Sequence, residues 1–388
     1  MTRTFSKVTR HHFMSRRADA CILLSSVRFV APLRLLKILA IQFKRIGDLI
    51  LTTPALAALR KKFPDAHVTL AVENGCRDLL PALDFVDEHL VFNRSGGNAK
   101  LWTRVLFGHF DVALDFTGTD RSVLFAVLSK ARRRVTFQWI ARSKVRAIFF
   151  DTLVDSSVRE NHTADHYCDL LRALDIDARG TPITLNLPSW TQKKAEQLLQ
   201  EIGCAEPFVI VHPGTARLEK FWPPARWAVV VDFIIGQLKM PCVLTAGSDP
   251  MEREHIEKIK AASRAPLLRK TSVIASPSQL RRPGEPVVHD VTGRLDLLTL
   301  GALAKRARLF LSVDSGPMHL ASAFGTPQVA LFGPTNPFHW RPRHERAVVV
   351  HAGVPETGAP LKPHHAAAPM EELSTQQVIG AIKSLLAR

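Results

Sequence analysis

Residues 307–337 read ARLFLSVDSGPMHLASAFGTPQVALFGPTNP. A short apolar strand (308–313) runs into Asp314-Ser315-Gly316, and a small-residue helix follows from Pro317 to Phe324. Gly325-Thr326-Pro327 stops that helix, and a second strand (328–332) ends at Gly333-Pro334-Thr335. Strand–turn–helix–strand is the half-unit of a parallel sheet. Open parallel sheets take their ligands at the carboxyl ends of strands, where both turns lie. Gly316 permits close backbone approach to a ligand, and Pro317 suits the first helical position because it wastes no amide hydrogen. The first amides of the helix are unpaired and carry the positive end of its dipole, a seat for phosphate. Ser315 adds a hydroxyl. Asp314 would repel a phosphate, so it either binds a sugar hydroxyl or caps the helix. His319, one turn further on, faces the pocket or is an ordinary surface histidine.

The same grammar extends in both directions. Upstream, strands are expected at 36–41, 67–72, 86–92 and 111–116, with helices from Leu49 to Phe63 and from Arg121 to Lys130. Pro54 is expected to kink or divide the first helix. Gly47-Asp48 sits at the mouth of the first strand–helix turn. A helix over 161–174 leads to a Pro/Gly-rich boundary at 180–191. The grammar then restarts with strands at 208–212, 241–246 and 287–291. Thr215 and Lys220 lie on the loop after the first of these, a hydroxyl and an ammonium suited to a diphosphate. Glu252 follows the next strand, where it either accepts ribose hydroxyls or serves as a favourable first-turn acid. Asp296 is expected to cap a helix over 297–306, and residues 264–286 read as a surface loop or insertion. After Trp340 the chain reads as basic and irregular until a final helix over 374–387. Two doubly wound α/β domains are therefore expected, as 388 residues also suggest.

Composition narrows the function. Lys+Arg 52 against Asp+Glu 35 leaves a net charge of +17, which favours polyanionic partners such as nucleic acid, an anionic membrane or a phosphorylated glycolipid. Part of the excess lies in residues 1–34, a basic extension expected to lie outside the fold, or an over-long start with Met14 as the alternative. Another part lies between Ala131 and Arg146, a solvated edge or a surface for an anionic acceptor. Five scattered cysteines suit a reduced, cytoplasmic protein. No apolar run approaches the roughly 20 residues of a membrane span, and the weakly signal-like stretch 20–30 is broken by Arg28. His162 and His166 lack the glutamate of a metalloprotease motif, Asp175 and Asp177 spell DxD away from any strand end, and no metal spacing is evident. GxGxxG is missing after Ile41 and after His212, which counts against a nicotinamide oxidoreductase. No helix-turn-helix, zinc finger or RNA-recognition signature supports a nucleic-acid-binding protein, and no nucleic-acid partner is expected.

Three stretches carry a family resemblance: FKRIGDLILTTPALAALRKKFP (43–64), HPGTARLEKFWPPARW (212–227) and SVDSGPMHLASAFGTPQVALFGPTNP (312–337). Together they resemble the lipopolysaccharide heptosyltransferases of glycosyltransferase family 9, over roughly residues 36–340. The resemblance implies a GT-B fold, two Rossmann-like domains facing across a cleft. Residues 35–185 would bind the acceptor, residues 190–365 the nucleotide-sugar, and the helix in 370–388 would pack back toward the first domain. By position, Asp48 matches the family's catalytic aspartate and Lys220 its phosphate-binding lysine. Glu252 matches its ribose acid, and Asp314, Ser315, Gly316 and His319 its donor-sugar and diphosphate segment, with Thr215 a looser match. Lys44, Arg45, Arg121 and Arg142 are the acceptor-side candidates. The implied reaction is inverting transfer from ADP-heptose to a lipopolysaccharide-core or other anionic glycolipid hydroxyl, with no cofactor or obligatory metal. The implied setting is a monomer in peripheral contact with the cytoplasmic face of the inner membrane.

Overall fold

The computed structural model describes residues 35–268, 286–354 and 358–387. The basic extension lies outside the described residues, as does most of the 264–286 insertion. Leu35–Arg388 forms one compact unit, built on two wholly parallel sheets.

The first sheet contains β1 (Lys37–Gln42), β2 (His67–Glu73), β3 (Glu88–Phe92), β4 (Val112–Asp115), β5 (Arg133–Phe137) and β6 (Thr152–Val154). Its order is β3-β2-β1-β4-β5-β6. Its helices are α1 (Ile46–Lys62), α2 (Ala99–Phe107), α3 (Asp120–Leu128), α4 (Lys144–Ala147) and α5 (Thr163–Asp169). The central strands read as unbroken apolar runs because both faces are covered. The strand order reverses between β1 and β4, so the crevice for a ligand opens between the loops that follow those two strands.

α6 (Ser189–Ile202) leads into the second sheet, made of β7 (Val209–His212), β8 (Cys242–Leu244), β9 (Leu267–Leu268), β10 (Val288–Asp290), β11 (Leu309–Val313), β12 (Gln328–Phe332) and β13 (Ala347–His351). The order β13-β12-β11-β7-β8-β10-β9 puts its reversal between β7 and β11. The loops there are those carrying Thr215, Lys220 and Asp314. α7 (Pro224–Gly236), α8 (Pro250–Ala262), α9 (Leu297–Arg306), α10 (Gly316–Ala323), α11 (Pro337–Trp340) and α12 (Thr375–Leu386) complete the chain. One core runs on between the sheets, joining Leu49, Leu56 and Tyr167 of the first half to Phe310, Leu303 and Leu320 of the second.

Four expectations are corrected. α1 runs unbroken through Pro54. The proline leaves the Ile50 carbonyl without its helical amide, and the Thr53 hydroxyl donates to that carbonyl instead (2.8 Å). Within the stretch read as an insertion, Leu267–Leu268 pairs with β10 as an edge strand. The segment after Trp340 is not wholly irregular, because Ala347–His351 adds β13 beside β12. The last helix does not turn back to the first half. α12 lies on α7, β12 and β13, and its buried stripe Val378, Ala381, Ile382 and Leu385 joins the second half's outer core. The edge strand β13 presents an apolar face that this stripe covers, and Trp222 Nε1 fixes the approach by donating to the Leu373 carbonyl (3.0 Å).

Candidate active site

The two switch points meet through their helices. α1 packs against α10, and glycine makes the approach possible at both N-termini. A Cβ placed on Gly47 would lie 3.0 Å from His319 Cδ2, and one on Gly316 would lie 3.3 Å from Ile46 Cγ2. Two positive dipole ends thus converge, an arrangement that favours an anion between them. Asp48, in the first turn of α1, is brought to the segment 314–319. That segment is far away in the chain.

Asp48 is held from the first half. Tyr167 of α5 donates to Asp48 Oδ1 at 2.6 Å, and the Lys44 ammonium lies 3.2 Å from the Tyr167 hydroxyl and 5.3 Å from the ring centroid. Thr52 donates to the Asp48 carbonyl and accepts from Gln42 Nε2. Nearby, Asp115 at the end of β4 accepts from the Thr117 and Gly118 amides and the Ser122 hydroxyl. Full burial nevertheless raises its pKa to about 6.

Across the junction, Lys220 Nζ donates to Asp314 Oδ2 (2.5 Å) and to the Asp314 carbonyl (3.3 Å). Thr335 donates to the same carboxylate oxygen (2.7 Å). Asp314 does not cap α10, because Ser315 occupies the cap position and the Asp314 carboxylate engages Lys220 and Thr335. His319 is buried, not on the surface. Burial holds its pKa down near 4 against the pull of Asp314 and Asp48, so the ring is neutral at neutral pH. The Ser315 hydroxyl and His319 Nδ1 are buried without a partner among the described residues. Buried polar atoms are normally satisfied, so these two suit a polar ligand at the start of α10.

Thr215 shares the β7 loop with Lys220, and Glu252 lies one strand over, after β8. Glu252 Oε2 accepts from the Gly247 amide (2.6 Å), and burial raises its pKa. A Cβ on Gly214 would fall 2.3 Å from that oxygen and 3.3 Å from His212 Nε2, so the loop beside Thr215 closes directly over Glu252. Asp249 caps α8, and Glu252 lies in its first turn. Thr215 is buried, and its hydroxyl accepts the Arg217 amide.

The acceptor-side candidates are spread along the first sheet's carboxyl edge. Arg45 and Arg142 are exposed. Arg121 pairs with Glu73 (2.5 Å) and stacks over Phe92. His162 caps α5 and its Nε2 faces the Arg341 carbonyl, while His166 binds Ser156 and stacks on Phe137. Both are structural. Among the described residues no three His, Cys, Asp or Glu side chains gather in a way that could hold a metal ion. Tyr167 and Thr335 escaped the sequence reading. The one available signal for Tyr167 was that it is the chain's single tyrosine.

Comparison with known proteins agrees with this architecture. The family model for glycosyltransferase family 9 (heptosyltransferase) matches residues 98–362. Lipopolysaccharide heptosyltransferase 3 of Escherichia coli is 25% identical over 319 residues, covering 79% of this chain and 86% of that protein. A family 9 glycosyltransferase structure from Veillonella parvula superposes with a TM-score of 0.71 at 24% identity, over 90% of this chain and 97% of that one. The E. coli ADP-heptose lipopolysaccharide heptosyltransferase II superposes with a TM-score of 0.68 at 20% identity, over 91% and 99%. The fold shared with these structures is GT-B.

Proposed function

The chain belongs to glycosyltransferase family 9, and from that premise we propose that it transfers a heptose from ADP-heptose to a hydroxyl of the lipopolysaccharide core, with inversion. The observation that carries this reading is the junction of α1 and α10, where Gly47 meets His319 and where that ring lies in the field of Asp48, Asp314 and Lys220 together. The acceptor hydroxyl attacks the anomeric carbon opposite the departing diphosphate and passes its proton to Asp48. Negative charge gathers on the diphosphate as its bond to the sugar breaks. Lys220 and the amides at the start of α10 meet that charge, together with the Ser315 hydroxyl, and such prearranged electrostatics contributes heavily to catalysis. His319 offers one donor and one acceptor nitrogen to the sugar or diphosphate, and Gly316 leaves room for them. Glu252 takes the ribose, and Thr215 adds a hydroxyl on the diphosphate loop. The names of the related heptosyltransferases support heptose and ADP as donor components.

On the acceptor side, Lys44, Arg45, Arg121 and Arg142 supply positive charge for a phosphorylated glycolipid. Beside them, Val145 (69% exposed) and Ile148 (73% exposed) project from α4 and its end, next to Arg142 and Lys144. Apolar tips ringed by cations suit an anionic bilayer surface. Among the described residues no helix is long and apolar enough to cross a membrane. The family resemblance and this cationic, apolar-tipped surface support peripheral contact with the cytoplasmic face of the inner membrane.

The test is a panel of nucleotide-sugars incubated with the purified protein and a lipopolysaccharide-core acceptor, scored for nucleotide release. ADP release from ADP-heptose alone is expected. Release from another donor, or only with another glycan, would move the chain to a different specificity within the family. Asp48→Ala should lower kcat by about 10²–10⁴-fold with ADP affinity unchanged. Near-normal turnover would remove Asp48 from its role.

A further inference from the structure

We infer that Tyr167 is the positioning residue for Asp48: it engages Oδ1 and so presents Oδ2 to the acceptor hydroxyl. The inference rests on the reading of Asp48 as the base.

Tyr167 is fully buried on α5, and its hydroxyl reaches Asp48 Oδ1 at 2.6 Å across 119 residues of sequence. The polarity of this contact is dictated by its neighbours. An ammonium can only donate, so Lys44, 3.2 Å away, gives a proton to the phenol oxygen. An ionised carboxylate can only accept, so the phenol proton points to Asp48. The relay Lys44–Tyr167–Asp48 therefore has one direction. Tyr167 cannot itself serve as the base, because burial and the adjacent Asp48 carboxylate push its own ionisation well above the ordinary range. What it does is hold the carboxylate in one rotamer with one oxygen occupied. A charge-assisted O–H···O⁻ bond of this kind is short and strong, and its ring cannot swing away because it packs in the core shared by both halves.

Gln42 also hydrogen-bonds Tyr167, and two neutral groups lie near Asp48. Cys76 keeps its thiol neutral, its pKa pushed up to about 12 by burial and by Asp48. His319 is neutral, held near 4 by burial. Lys44 is the cation, and it reaches Asp48 through Tyr167.

The experiment compares Tyr167→Phe, Asp48→Ala and the double variant in full-length protein, with kcat, KM and ADP affinity measured separately. Tyr167→Phe should lower kcat at least about tenfold and leave ADP affinity within about twofold. In the Asp48→Ala background the same change should cost nothing further, because Tyr167 acts only through Asp48. A loss that persists undiminished there would mark a merely structural residue and overturn the inference. Unchanged kcat in Tyr167→Phe, with Asp48→Ala inactive, would overturn this inference alone. Activity retained in Asp48→Ala would overturn both readings. The single tyrosine allows a check without mutating it. With ¹³Cζ-labelled tyrosine the protein should give one resonance that shifts in Asp48→Asn, and no shift would overturn the inference even if Tyr167→Phe fails to fold.

Discussion

Lys220 and Asp314, 94 residues apart in sequence, form an ion pair at 2.5 Å with only 11% and 7% of their side chains exposed. The cation proposed to grip the donor diphosphate is thus already engaged by a carboxylate, which Thr335 also binds. A bound diphosphate would either compete for the ammonium or join the pair, and in both cases Asp314 keeps Lys220 in place beforehand. Removing one partner of a buried pair is expected to cost about 3–5 kcal/mol, since the remaining charge is stranded. Lys220→Ala should therefore lose both melting temperature and at least tenfold in ADP affinity. Adding Asp314→Asn should restore much of the stability and none of the affinity. Recovery of both together, measured by calorimetry and nucleotide titration, would mean that Lys220 does not touch the nucleotide.

Gly214 offers a separate handle on the ribose end. Its added methyl in Gly214→Ala would meet Glu252 Oε2 at 2.3 Å, and the carboxylate must then leave the Gly247 amide that now holds it. The flexible end of one side chain absorbs the clash, so a stability loss of about 1 kcal/mol is expected. ADP affinity should fall several-fold, more than affinity for a bare diphosphate. Equal losses for both ligands would place Glu252 away from the ribose.

Acid should unfold the protein over a narrow range. Burial holds His162 near 3 and His166, His212 and His319 near 4, against about 6.5 in an unfolded chain. Each ring is neutral in the fold, so below about pH 6.5 the unfolded state takes up protons that the folded state refuses. Stability is unaffected above that point and falls as pH drops toward about 4. The slope is up to about 1.4 kcal/mol per pH unit for each histidine. Four of them together would exhaust a typical stability of about 5–15 kcal/mol within a few pH units. Circular dichroism should show cooperative unfolding between about pH 6 and 4, and an unchanged signal down to pH 4 would contradict the buried neutral rings.

Replacing Val145 and Ile148 together by Asp should abolish co-sedimentation with vesicles rich in anionic lipid. Turnover on a short, soluble acceptor should be unchanged, because neither side chain belongs to the junction of α1 and α10. High salt should weaken vesicle binding of the unaltered protein, as screening reduces the contribution of Arg142 and Lys144. Binding that survives the double substitution would move the membrane contact elsewhere.

Much of this protein was decided locally. Unbroken apolar runs specify strands covered on both faces. Asp296 and Ser374 mark helix starts and cap them through the Thr299 and Gln377 amides. Gly-Pro after a strand specifies a turn that opens a helix dipole. Short-range periodicity and capping depend on neighbours within a few residues, so the sequence alone carried the two parallel sheets and the loops holding Asp48, Lys220, Glu252 and Asp314.

Side-chain partners were decided only in three dimensions. Tyr167 finds Asp48, and Lys220 finds Asp314, because α5 packs on α1 and the β7 and β11 loops share a switch point. No local pattern records such pairings. Thr53 keeps α1 continuous past Pro54, and α12 settles on the second sheet because β13 presents an apolar edge that must be covered. In each case a buried group takes whichever partner the packing supplies. Packing is the sum of contacts between distant stretches, which a linear reading does not contain.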